Sequence, residues 1–132
     1  MNNGFVEIDI QERLEQFLAE SSSAAVLFKH SNTCGVSSRA YREMAKLQVP
    51  VGLITVQKAR VVSDEIEKRW NVAHETPQVL IIRDGKLLWD ASHFRIKADA
   101  VEAALQQVSS EQKAESRRRD GRKQTDGTRQ CQ

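Results

Sequence analysis

A chain of 132 residues with an apolar share of 39% has material for one compact domain and too little for two cores. It contains no run of eighteen apolar residues, which excludes a membrane-spanning helix, and Met1–Asp9 lack the basic-then-apolar pattern of a secretory signal. Residues 1–108 hold 13 Lys/Arg against 14 Asp/Glu and residues 109–132 hold 7 against 4, so the basic character belongs to the end of the chain and the near-neutral body gives no case for nucleic-acid binding. Taken in chain order, Ile10, Leu14, Phe17 and Leu18 recur at helical spacing, with Asp9 and Glu12 placed as in a capping box. Residues 24–30 form a short apolar run that reads as a buried strand, and Ser31–Gly35 follow as a turn with N-cap chemistry. Ala40, Tyr41, Met44 and Ala45 mark a helix from Val36 to about Leu47, and Pro50 and Gly52 border a strand over Val51–Val56. Ser63 is placed to cap a helix carrying Ile66 and Trp70. After the connector His74–Pro77, a strand over Gln78–Ile82 meets the hairpin signal Asp84-Gly85 and a partner strand over Lys86–Asp90. Val101, Ala104, Leu105 and Val108 define a last helix.

From Ser109 onward apolar residues almost vanish, which predicts a disordered basic tail over 109–132 behind a domain over 1–108. The order helix, βαβ, helix, β-hairpin, helix makes the first two strands parallel and the last two antiparallel. Its economical packing is an α/β domain with a four-stranded mixed sheet flanked by helices, preceded by the N-terminal helix. That arrangement is the core of the thioredoxin fold.

Two cysteines, Cys34 and Cys131, do not make a secreted disulfide framework, and a reducing cytoplasm is the expected location. Cys34 falls where a strand becomes a helix. A helix N-terminus presents unpaired N–H groups and partial positive charge, and both favour the thiolate, the nucleophilic form. Thr33 is placed either to cap the helix or to solvate the sulfur. The competing reading, an inert buried cysteine, is outweighed by the position at the turn. In Cys34-Gly35-Val36-Ser37 a serine occupies the place of a second thiol, so a mixed disulfide on Cys34 is not resolved within the motif and lasts until another thiol arrives. Ser37 has two readings, a hydrogen-bond donor to the sulfur or an exposed first-turn serine. Thr76-Pro77 precedes the hairpin; a cis bond there would turn the backbone groups of Thr76 toward the thiol, free to pair with a substrate chain.

Phe28–Ser37, His74–Gln78 and Trp89–His93 together resemble the YtxJ-like monothiol bacilliredoxin family, over about residues 5–107 and in the family's order. The resemblance implies a thioredoxin fold and removal of bacillithiol from S-bacillithiolated client proteins. Cys34 would be the nucleophile, Thr76 and Pro77 the substrate-side loop, and bacillithiol a co-substrate rather than a bound cofactor. One departure is Gly35-Val36, where the family's common form has Pro-Ile. The runner-up function is a non-enzymatic thioredoxin-like adaptor or redox sensor. His30, His74 and His93 lie on separate elements and match no zinc spacing, so no metal site is expected. Trp70 and Trp89 read as packing residues, Arg117–Arg119 as solvated charge, and Cys131 as an incidental thiol more than a resolving one.

Overall fold

The computed structural model describes residues 4–21 and 24–108. The order is β1 (Phe5–Glu7), α1 (Gln11–Glu20), β2 (Ala25–His30), α2 (Gly35–Met44), β3 (Val51–Thr55), α3 (Arg60–Trp70), β4 (Gln78–Arg83) and β5 (Lys86–Ser92), then one 3₁₀ turn, η1 (His93–Arg95). A last helix, α4, runs over 98–108. The strands form one mixed sheet in the order β1-β3-β2-β4-β5. β1 and β2 run parallel to β3, whereas β4 runs antiparallel to β2 and to β5.

The sheet therefore has five strands where the sequence suggested four. β1 is three residues long, too short for an alternating pattern to show, and pairs Phe5, Val6 and Glu7 with Val51, Gly52 and Leu53. Two of the expected caps are also absent. α1 begins after Ile10 with no side-chain cap, and Asp9 pairs with Arg13 at 3.4 Å instead of closing a capping box with Glu12. Ser63 lies inside α3, one turn beyond its start, and is 1% exposed. The hairpin is as expected: Asp84 and Gly85 both hold positive φ, 52° and 76°, as its two-residue turn requires.

Alternation along the strands divides the core in two. Val26, Phe28, Val79 and Ile81 face α2 and α4, meeting Ala40, Met44, Val101 and Val108. Leu27, Ile54, Leu80 and Ile82 face α1 and α3, meeting Leu14, Phe17, Val62 and Ile66. At Gly52 a Cβ would stand 2.7 Å from Ile8 Cδ1 and 3.0 Å from Phe17 Cε2, so this face of β3 needs glycine for α1 to approach. Trp70 and Trp89 pack partly buried against the two clusters, and Trp70 Nε1 donates to Gly85 O at 2.9 Å. No helix among the described residues is long and apolar enough to cross a membrane. The expected basic tail, Arg117–Arg119 and Cys131 lie outside the described residues.

Candidate active site at the Cys34 turn

Strand register gathers four connections at one end of the sheet. His30, the last residue of β2, pairs with Thr55, the last of β3. Next to it Lys29 pairs with Gln78, the first residue of β4, and Gln78 pairs with Ser92, the last of β5. The segments after β2, after β3, before β4 and after β5 all emerge there. They carry Cys34, Gln57, Thr76-Pro77 and His93.

Cys34 is the N-cap residue of α2, extended at φ −115° and ψ 127°, and its side chain makes no capping bond. Its carbonyl accepts the first helical bond, from Ser38 N at 3.0 Å. The thiol is half-buried and free. Thr33 is thus not the cap. Its Oγ1 lies 3.3 Å from Ser31 Oγ and accepts from Gln57 Nε2 at 3.3 Å.

Ser37 follows neither reading offered by the sequence. It is fully buried rather than exposed, and its Oγ is engaged by two groups other than the sulfur. Ser31 N donates to it at 2.9 Å, and His30 Nδ1 lies 2.8 Å away. Burial holds the His30 imidazole below its ordinary range, with the hydrogen bond at Ser37 opposing. The His30 ring packs on Tyr41 at 5.0 Å and Phe28 at 5.5 Å, and Tyr41 stacks on Phe5 of β1 at 4.4 Å. The unanticipated strand thus supports the ring that holds Ser37.

Gln57 was not legible in the sequence. Its Oε1 accepts from Asn32 N at 3.2 Å while its Nε2 donates to Ser31 Oγ at 2.8 Å, so one amide braces the whole turn before Cys34. Only its place directly after the strand parallel to β2 could have pointed to it.

The Thr76–Pro77 bond is cis, with Pro77 buried and Thr76 partly exposed. Pro77 O accepts from His93 N at 3.1 Å, and His93, at φ 56°, pairs with Glu75 at 3.5 Å. Beneath this loop, Lys29 Nζ and Gln78 Oε1 are buried without a hydrogen-bond partner among the described groups. Burial lowers the Lys29 amine to about 8 against the pull of Glu67, Asp64 and Glu75. His74 is lowered by burial and then by Lys29, and its Nδ1 lies 3.4 Å from Ser63 Oγ. The three histidines thus have three separate settings, and no group of three or more metal-ligating side chains converges among the described residues.

A model of the family described as monothiol bacilliredoxin BrxC matches residues 6–101, which include the Cys34 turn, the 74–78 loop and the Ser92-His93 end. The chain belongs to the monothiol bacilliredoxin family. Among solved structures, this bacilliredoxin is similar to one described as a candidate oxidoreductase with a thioredoxin fold, at 29% identity and a TM-score of 0.71, over 76% of this chain and 92% of that one. It is also similar to thioredoxin from Trypanosoma brucei brucei (15% identity, TM-score 0.68, 83% of this chain and 95% of that one). Spinach chloroplast thioredoxin f is a further match (15%, 0.62, covering 82% and 96%). The fold is thioredoxin-like, and family and fold together support a thiol-redox function.

Proposed function

We propose that this chain is a monothiol thiol–disulfide exchange oxidoreductase that removes bacillithiol from S-bacillithiolated proteins. One observation carries the reading: a free, half-exposed Cys34 stands at the start of α2, and the motif's second position is a buried Ser37 locked by His30 and Ser31. A helix start favours negative charge on the attacking sulfur. The Cys34 thiolate attacks the bacillithiol sulfur of the client's mixed disulfide. That disulfide breaks, a Cys34–S–S–bacillithiol bond forms, and the client sulfur leaves as a thiolate and takes a proton. A second bacillithiol thiolate then attacks the same adduct, releasing oxidised bacillithiol and the Cys34 thiolate. Each step exchanges one S–S bond for another. Ser37 has no sulfur with which to intercept the adduct, so no thiol within the motif regenerates Cys34. Thr76 and Pro77 form the wall against which the client docks, and a reducing cytoplasm is the setting that keeps Cys34 available.

The test is to mix the protein with an S-bacillithiolated client and follow both masses. The client should lose the adduct mass and the protein should gain it on Cys34, with no transfer in Cys34→Ala. A client that keeps its adduct overturns the reading in favour of an adaptor or sensor.

A further inference from the structure

Alternation along β2 puts Lys29 on the same face as Leu27, turned toward α1 and α3 and away from α2. The residue is fully buried, and its Nζ has no hydrogen-bond partner among the described groups. An ammonium placed in this way lowers stability, and an apolar side chain would fill the position without that penalty. Its charge is felt on two elements. Glu67 and Asp64 of α3 attract it, as does Glu75 of the loop before β4, and His74 of that loop is held neutral in part by its presence.

The same loop is seated on the Lys29 pair. Gln78, the cross-strand partner of Lys29, donates from Nε2 to Ala73 O at 3.1 Å and closes the loop at its base. Glu75 answers to Lys29 on one side and to His93 Nε2, 3.5 Å away, on the other. His93 N in turn donates to Pro77 O at 3.1 Å. Glu75 immediately precedes Thr76, so whatever holds Glu75 sets how the Thr76 backbone faces an arriving chain.

We propose that Lys29 is a positioning residue for client docking: from beneath the loop its ammonium holds Glu75, and through Glu75 the Thr76–Pro77 edge, in the shape that receives the client backbone. Lys29 touches neither the client nor the reacting sulfurs. The proposal rests on the exchange reaction and the docking wall described above, and it assigns the group that keeps that wall in place.

The test compares two substrates carrying bacillithiol as a mixed disulfide, a hexapeptide with one cysteine and cysteamine, which has no backbone to dock. Lys29→Met should lower the peptide-to-cysteamine ratio of transfer rates to Cys34 about three-fold, the scale of one charge pair with an exposed partner. Glu75→Gln should lower it too, and the double variant should fall no further than Glu75→Gln alone. In Lys29→Met the His93 amide should exchange hydrogen faster while the amides of β2 and β4 keep their protection, a local loosening that a loss of overall stability does not produce. An unchanged ratio, an equal fall in both rates, or additive falls in the double variant each overturn the positioning role and leave the exchange reaction standing. Failure of the wild type to take up bacillithiol from either substrate overturns the exchange reaction, and the positioning role with it.

Discussion

His30 Nδ1 and Ser37 Oγ lie 2.8 Å apart, tying the last residue of β2 to the first turn of α2 across the turn that holds Cys34. A serine at the place of a resolving thiol therefore has a structural task. It satisfies the Ser31 N–H and the His30 ring, and so sets the path of the chain into the helix.

Ser37→Ala should destabilise the fold by about 1–3 kcal/mol, because it leaves the buried Ser31 N–H without its acceptor and His30 without its partner. Denaturant unfolding measures the loss. The turn should loosen with it, so exchange at Cys34 should slow. A variant as stable as the wild type would mean that the hydroxyl is replaceable by water at this site.

Gln57→Ala should cost less in stability, about 0.5–1.5 kcal/mol, since the amide is exposed. Its effect should be local. The Asn32 amide, which donates to Gln57 Oε1, should lose hydrogen-exchange protection while the amides of β2 and β4 keep theirs. Uniform loss across the sheet would show that Gln57 supports the fold rather than the turn.

Much of this architecture was legible because it is carried by local pattern. The Asp84-Gly85 pair announced its hairpin, the apolar run before His30 its strand, and the strand-to-helix switch at Cys34 the place of the thiol. What was missed is non-local. Three residues of β1 show no periodicity by themselves, and become a strand only because β3 offers a free edge. The roles of Gln57 and Ser37 depend on partners 25 and 7 residues away, brought close by register rather than by motif. The caps at Asp9 and Ser63 failed for a related reason: packing of α1 and α3 against the sheet set where each helix begins, and capping propensity yielded.

Acid should weaken the fold through His30 and His74. Burial leads the lowering of both imidazoles below their ordinary value of 6.5. As pH falls below that value the unfolded chain takes up protons that the folded chain does not yet bind. Stability therefore declines with falling pH, and the decline ends once the folded imidazoles titrate too. In His30→Asn combined with His74→Asn, unfolding free energy should fall less steeply below pH 6.5 than in the wild type. Parallel curves would locate the acid sensitivity elsewhere.

Lys29 carries the opposite opportunity. It is fully buried at the end of β2, across from Gln78, and its amine is lowered by burial to about 8 from 10.5. At pH 7 the folded state must hold a charge that water would hold better, a cost of about 3 kcal/mol at 1.36 kcal/mol for each tenfold change in proton affinity. Between about pH 8 and 10.5 the unfolded chain binds more protons than the folded one, so this cost fades as pH rises and stability climbs. Lys29→Met keeps the length and apolar stem without the amine. It should therefore be more stable than the wild type by about 1–3 kcal/mol at pH 7, with the gap closing toward pH 10.5. Glu67, Asp64 and Glu75 lose a neighbouring charge in the variant, but their attraction is already contained in the lowered Lys29 value, so the net sign stands. Unfolding free energies of both proteins across pH 6–10.5 provide the measurement. A variant less stable than the wild type at pH 7 would show that the amine holds a favourable partner beneath the Thr76–Pro77 loop.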